Sequence, residues 1–233
     1  MRTRVVFFDL GGTLLVMRRD KIFSRVLSAS GFTVPLESVH RAYVGNEPWW
    51  LSRYGNRELT PDQTEEAYRE KDAMVFAALF PEERKEKAIE VSKLARSMWP
   101  QLEKDIPLEL YPDAEPVMEE LVNDGYSVGL VSNAPPDTSK VVESLGLDRY
   151  ASTVVISGLV GCSKPSPEIF RIALRRAGFS PEEAVHVGDV YEADVVGARS
   201  AGMLGVLIDR DDTQSGLECP RIRSLLDVYR HLE

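Results

Sequence analysis

Five short apolar segments of the sequence have the length and composition of buried β-strands. They are residues 4–9, 126–132, 152–157, 184–189 and 205–209. Continuous apolar runs, in place of alternating apolar and polar residues, indicate strands that are covered on both faces. Such strands occur mainly in parallel sheets, so these segments constrain the fold more than any other feature of the chain.

Helical patterns separate the later strands. They occupy residues 112–125, 166–178 and 192–202, and each ends at a glycine, the residue preferred just past a helix. Asp113 is suited to cap the first of these helices. Strands that alternate with helices predict an α/β protein with a parallel sheet and right-handed crossovers. Functional residues of such sheets gather at the carboxyl ends of the strands.

Residues 17–107 do not follow this alternation. They contain helical patterns and no convincing strand. A parallel crossover typically needs about a dozen residues, and this segment is far longer. It therefore predicts an inserted all-helical domain, residues 17–107, within a core formed by residues 1–16 and 108–233.

The charge and the apolar pattern exclude several classes of partner. The chain has 28 Lys and Arg against 37 Asp and Glu, a formal net charge of -9, so no nucleic-acid partner is expected. No segment approaches the ~18 consecutive apolar residues of a membrane span, so no membrane partner is expected. Two distant cysteines, Cys162 and Cys219, give no disulfide framework. We expect a cytoplasmic protein, and the sequence does not indicate its oligomeric state.

Polar residues with complementary chemistry lie at or just beyond the ends of the predicted strands. They are Asp9, Ser132, Asn133, Lys164, Asp189 and Asp194. Carboxylate oxygens suit Mg²⁺, which binds a few carboxylates and keeps water or phosphate oxygens in its other positions. A lysine and a hydroxyl group can hold phosphoryl oxygens. Asp9 is then the candidate nucleophile, through an aspartyl-phosphate that water later hydrolyses.

Four segments of the chain resemble the sequence motifs of the haloacid dehalogenase superfamily. They are DLGGTL, LVSN, KPSPEIF and HVGDVYEADVVGARSAGM, in the family's order and with plausible gaps. The resemblance covers the whole chain, because residues 17–107 stand where the family carries its helical (type C1) cap. It implies a Rossmann-like parallel-sheet core with helices on both faces, Mg²⁺ as cofactor, and a mobile cap that selects a small phosphorylated substrate.

The resemblance also implies a role for each candidate residue. Asp9 is the nucleophile and Lys164 the second catalytic residue. The implied phosphate-binding residues are Ser132, Asn133 and Lys164, and the implied metal ligands are Asp9, Gly11, Asp189 and Asp194. Gly11 contributes its backbone carbonyl, and Asp194 either binds the metal through water or orients Lys164.

Gly11 departs from the family pattern. Family phosphatases usually carry Asp at this position, two residues after the nucleophile, as the general acid and base. Dehalogenases tend to have Tyr there, phosphonate hydrolases Ala and transport ATPases Thr. Gly11 has no side chain to transfer a proton, and Tyr191 and Glu192 are candidates to replace it.

Three hypotheses remain open at this stage. The first is a Mg²⁺-dependent hydrolase of small phosphorylated metabolites. The second is a hydrolase specialised for acyl or aryl phosphates, which need little acid assistance because their leaving groups are good. The third is a catalytically weak scaffold that binds phosphate or a partner.

Overall fold

The chain divides into two compact units. The computed structural model describes residues 3–54 and 60–232, without the side chains of residues 47, 48, 51, 52 and 61. Unit 1 comprises Met1–Met17 and Leu108–Glu233, and unit 2 comprises Arg18–Pro107. Unit 2 therefore interrupts the sequence of unit 1.

Unit 1 is built on a six-stranded sheet. Its strands are β1 (Val5–Phe8), β2 (Ser127–Ser132), β3 (Ala151–Ile156), β4 (Ala184–Gly188), β5 (Leu204–Ile208) and β6 (Arg221–Ile222). The strand order is β3-β2-β1-β4-β5-β6, and every neighbouring pair is parallel. This is the order of a Rossmann-like sheet, so the predicted fold class is confirmed. The ends of the first five strands differ from the predicted ends by no more than one residue, and β6 was not predicted.

Unit 2 is helical throughout its described residues. Its helices are α1 (Arg19–Ala29), α2 (Leu36–Tyr54), α3 (Pro61–Leu79) and α4 (Lys85–Lys104). Each helix contributes to one apolar core, which includes the buried side chains of Phe23, Val39, Phe76 and Val91. The sequence favours these helices through this apolar stripe on each of them. None of the helices in the described residues is long and apolar enough to cross a membrane.

Helices cover both faces of the sheet in unit 1. They are α5 (Ala114–Asn123), α6 (Thr138–Ser144), α7 (Ser157–Val160), α8 (Pro167–Ala177) and α9 (Gly197–Ser200). Side chains of β1 alternate between the two layers: Val6 and Phe8 pack in the cluster that includes α5, and Val5 and Phe7 pack in the cluster that includes α8. The continuous apolar run of this strand follows from that double coverage.

Shorter elements complete unit 1. They are the 3₁₀ turns Leu147–Arg149, Pro181–Glu183 and Leu225–His231 and a π-helical turn, Tyr191–Val196. The helix predicted over residues 192–202 is thus divided between the π-helical turn and α9. Turns of the π type are frequent at functional sites.

The prediction that Asp113 caps its helix is wrong. It lies at the N-cap position of α5, but its side chain makes no capping hydrogen bond. The carboxylate instead accepts two hydrogen bonds from Arg210, both 3.0 Å, and one of 2.7 Å from Ser224 Oγ. Two parallel bonds from a cationic arginine, with Ser224, occupy both carboxylate oxygens, which explains why the side chain does not cap the helix.

The two connections between unit 1 and unit 2 run side by side within unit 1. Val16 N donates to Glu109 O and Tyr111 N donates to Leu14 O, each at 2.8 Å. An antiparallel bridge between Leu15 and Leu110 lies between these bonds. The segment that leaves the core and the segment that returns to it therefore form a short two-stranded ribbon.

Candidate active site

The candidate residues lie where the strand order of the sheet reverses direction. Asp9 follows β1 directly, and Asp189 follows the neighbouring strand β4. The Asp9 backbone N–H donates to Val187 O at 2.9 Å, which fixes the end of β1 against β4. Open α/β sheets bind their ligands in the crevice at this switch point, because the flanking loops diverge to opposite faces.

Three carboxylates meet at this point. Oxygen atoms of Asp9, Asp189 and Asp194 lie within 4.8 Å of one another. Asp9 is 8% exposed and Asp194 is 1% exposed, whereas Asp189 is half-buried. The cluster thus combines two buried carboxylates with one that is half-buried.

Lys164 places a positive charge between two of these carboxylates. Its Nζ lies 2.6 Å from Asp9 Oδ1 and 2.5 Å from Asp194 Oδ1, and the side chain is 3% exposed. Burial alone would lower the pKa of this amine, but the charges of Asp194 and Asp9 outweigh it and raise the pKa above its ordinary value. Lys164 is therefore a cation at neutral pH.

Asn133 holds the backbone of Lys164. Asn133 Oδ1 accepts from Lys164 N and Asn133 Nδ2 donates to Lys164 O, both at 2.8 Å. Both ends of the side-chain amide therefore bind the peptide groups of Lys164. The structure brings Asn133 into the site as a support for the lysine, a contact that the sequence did not predict.

Asp194 is held in place by three groups. Besides Lys164, the ring Nε2 of His186 lies 2.9 Å from Oδ1, and Val190 N donates to Oδ2 at 3.0 Å. Burial by itself raises the pKa of Asp194, but Lys164 and His186 together hold it below its ordinary value. Asp194 is consequently ionised and fixed, in the geometry of a residue that orients Lys164.

His186 is a contributor that the sequence did not reveal. It lies within β4, is fully buried, and packs edge-on against Phe170 at a centroid distance of 5.0 Å. Burial lowers the pKa of its ring, mainly because the charged form would lose its hydration. The alternation of side chains along β4 marks His186 as inward-facing, but no local pattern signals that it contacts Asp194.

Asp9 differs from Asp194 in its proton affinity. Burial is the largest influence and raises the pKa of Asp9 to about 6, while Lys164 lowers it and the charge of Asp194 raises it. The site contains three carboxylates and one ammonium group, so it carries a net charge of -2 when all four are ionised. Hard oxygen donors with excess negative charge fit a divalent cation such as Mg²⁺.

Two further candidates lie at the same edge of the sheet. Ser132 ends β2 beside β1 and is 6% exposed. Gly11 lies in the loop after Asp9, with a backbone conformation that any residue can adopt. A Cβ atom at Gly11 would lie 3.0 Å from the sulfur of Met17, so a thioether occupies the space beside this position.

Tyr191 and Glu192, the candidate replacements for the missing acid, begin the π-helical turn after Asp189. Both side chains are half-buried.

The structure is that of a Rossmann-like α/β protein with an acidic cluster at the switch point of its sheet. A sequence profile of the haloacid dehalogenase-like hydrolases matches residues 3–202. The match covers most of the chain, and the chain belongs to this family.

Relatives of established name are similar over part of the chain. Glyceraldehyde 3-phosphate phosphatase of Methanopyrus kandleri is 40% identical over 137 residues, which are 54% of this chain and 58% of the relative. Phosphoserine phosphatase of Thermus thermophilus is 44% identical over 102 residues, 43% of this chain and 41% of the relative. The similarity therefore spans about half the length of these proteins.

Solved structures are similar over nearly the whole chain. A HAD phosphatase from Thermococcus onnurineus superposes with a TM-score of 0.59 at 26% identity, covering 99% of this chain and 97% of that one. A 2-haloacid dehalogenase from Pseudomonas syringae superposes with a TM-score of 0.57 at 21% identity, covering 98% and 97%. The second similarity concerns the fold alone.

Proposed function

We propose that the protein is a Mg²⁺-dependent phosphohydrolase that acts on a small phosphorylated metabolite through an aspartyl-phosphate at Asp9. The observation that carries the proposal is the buried ion-pair network in which Lys164 joins Asp9 to Asp194. An ammonium group 2.6 Å from the nucleophilic carboxylate is well placed to neutralise the charge of an incoming phosphoryl group. Family membership and the phosphatase names of the relatives support the same reaction class.

In the first step, an Asp9 oxygen forms a bond to phosphorus and the ester bond to the leaving oxygen breaks. Asp9 must be ionised to attack, and the hydrogen bond from Lys164 favours that form. Lys164 and Ser132 hold phosphoryl oxygens, and Asn133 keeps Lys164 in position. The leaving oxygen departs with the bonding electron pair as an anion and then takes a proton from water.

In the second step, water attacks phosphorus, the bond between phosphorus and Asp9 breaks, and inorganic phosphate leaves. The Asp9 carboxylate is thereby restored.

Asp9, Asp189 and the Gly11 carbonyl would hold the cation, with Asp194 bound through water or acting on Lys164 alone. When bound, Mg²⁺ would neutralise phosphoryl charge and act as a Lewis acid.

Gly11 argues for a particular substrate range within this reaction class. Its neighbour is the Met17 thioether, which transfers no proton. Esters whose leaving alkoxide is strongly basic need a proton on the leaving oxygen. The leaving groups of aryl and acyl phosphates are weakly basic and depart readily without that proton. We therefore expect the enzyme to favour substrates with good leaving groups.

Unit 2 is proposed to act as the substrate-selecting cap. Its helical make-up and its insertion after residue 17 support this role. The free cysteines Cys162 and Cys219 support a cytoplasmic location.

A panel of phosphate esters and anhydrides, assayed with Mg²⁺ and with a chelator, tests the proposal. The expected result is Mg²⁺-dependent release of phosphate that is lost in Asp9→Asn. Asp62→Asn, an exposed carboxylate on α3, is the matched control and should retain the wild-type rate. Absence of turnover across the panel, with Asp9→Asn indistinguishable from wild type, would favour a scaffold that binds phosphate or a partner.

A further inference from the structure

The loop that follows β5 has a fixed shape. Asp209, which is 3% exposed, follows the strand directly, and its carboxylate accepts from the backbone N–H groups of Thr213 and Gln214, both at 2.9 Å. Arg221 donates to the same carboxylate at 2.9 Å. These bonds fold residues 209–214, named here the clamp loop, into a compact turn.

Gln214 connects the clamp loop to the chain that carries Asp189. Its side-chain Nε2 donates to the backbone carbonyl of Asp189 at 2.9 Å. Because the backbone of Gln214 is itself bound to Asp209, the donor is presented from a fixed position. The orientation of Asp189 at the end of β4 therefore depends on the clamp loop.

Arg210 connects the clamp loop to the chain that carries Asp9. Its Nη2 donates to the carbonyl of Thr13 at 2.8 Å, four residues beyond Asp9. Its guanidinium is held by the bidentate pair with Asp113 and lies 3.7 Å from the ring centroid of Tyr111. The side chain is 16% exposed, so this donor is oriented on two sides and largely removed from water.

The two chain segments held in this way approach each other closely. A Cβ atom on Gly12 would lie 2.2 Å from Asp189 Oδ2, so the backbone beside Asp9 reaches the Asp189 side chain directly. The separation between these segments sets the separation between the proposed cation ligands. A small displacement of either segment would change it.

We propose that Arg210 and Gln214 are positioning residues that set the geometry of the cation site. Arg210 fixes the Asp9 segment, Gln214 fixes the Asp189 segment, and the clamp loop joins the two. This inference rests on the proposed function, since it assigns the purpose of the arrangement to cation binding. Partners of this kind behind metal ligands are commonly worth about 10- to 100-fold in metal affinity.

Calorimetric titration with Mg²⁺ provides the first test. Gln214→Met keeps the length of the side chain without the donor. Arg210→Met removes the guanidinium and keeps an apolar stem. Each is expected to weaken Mg²⁺ binding by roughly tenfold. Arg210→Lys, which retains a charged donor, should recover part of the loss.

The matched control is Arg223→Ala. Arg223 is 62% exposed and pairs with Asp212 of the clamp loop, but its ion pair does not reach the site. Its Mg²⁺ affinity should equal that of the wild type. Wild-type affinity in Gln214→Met and Arg210→Met as well would overturn the inference.

Hydrogen exchange without Mg²⁺ separates this inference from the proposed function. We expect faster exchange of residues 10–15 in Arg210→Met and of residues 189–196 in Gln214→Met, with the exchange of β2 unchanged. If the wild type bound no Mg²⁺, that pattern would still support the positioning of both segments by Arg210 and Gln214, and only the assignment of this positioning to cation binding would fail with the proposed function. Faster exchange throughout the chain, or no change in exchange, would show that the two residues do not position these segments.

Discussion

Replacing Gly11 with Asp should restore acid and base catalysis to the site. The backbone at Gly11 lies outside the left-handed region, so aspartate incurs no conformational penalty there. The three nearest neighbours of an added Cβ are atoms of Met17, the closest being the sulfur at 3.0 Å. Met17 is 44% exposed and can rotate away, so we expect a stability change within about 1 kcal/mol.

The kinetic gain can be estimated from the chemistry that is added. A positioned general acid or base typically contributes about 10²- to 10⁴-fold, and its contribution grows with the basicity of the leaving group. Gly11→Asp should therefore accelerate the hydrolysis of alkyl phosphates by about 10²-fold or more and change aryl phosphates little. The slope of log kcat/KM against leaving-group pKa should become shallower.

Steady-state kinetics on a series of aryl and alkyl phosphates measures this slope. Gly11→Asn is the matched control, because it has the same size and cannot transfer a proton in the same way. If the wild type already hydrolyses alkyl phosphates rapidly, with no dependence on leaving-group pKa, then another residue supplies the proton. Tyr191 and Glu192 would be the next residues to replace.

Three further predictions address the site and unit 2. Gly12→Ala should lower the free energy of unfolding in urea by at least about 2 kcal/mol, because φ at Gly12 is +84° and the added Cβ would overlap Asp189. Gly216→Ala is the control, because φ there is +83° and no atom lies within 4 Å of an added Cβ. Equal destabilisation by the two substitutions would refute the overlap. Asp189→Asn should abolish the rise in Tm that Mg²⁺ produces, and an undiminished rise would remove Asp189 from the cation site. Burial raises the pKa of Asp72 from 3.8 to about 6, so the folded chain holds this proton more tightly than the unfolded chain and stability should fall as pH rises from 3.8 to about 6. The contribution is about 3 kcal/mol; Asp72→Asn should remove it, and an unchanged pH profile of unfolding would contradict the assignment.

The sequence predicts the sheet well because its signal is local. Each of the first five strands is a short, largely apolar run, and a glycine follows the end of each predicted helix between them. Strand β6 escapes prediction because it has two residues, one of them Arg221. The hydrogen bonds of Asp113 could not be predicted for a different reason, since its partners Arg210 and Ser224 lie 97 and 111 residues away in sequence.

The residues of the candidate site could also be predicted only in part. Motif residues such as Asp9 and Lys164 are identified from the sequence, and the structure brings these two together across 155 residues. Gln214 is not identified, because its side chain acts on a backbone carbonyl of another segment. Asn133 is identified as a candidate phosphate-binding residue, but its hydrogen bonds to the Lys164 backbone are not predicted. Contacts of this kind join segments that are distant in sequence, so no local pattern indicates them.

The paired connections at Leu15 and Leu110 have a consequence for how this architecture can change. Because the inserted segment begins and ends at adjacent points of the core, its length does not affect the connectivity of the sheet. The entropy of closing such an insertion grows only with the logarithm of its length. Exchange of the entire segment between Arg18 and Pro107 for another compact unit would therefore leave the strand order and the loops of unit 1 unchanged.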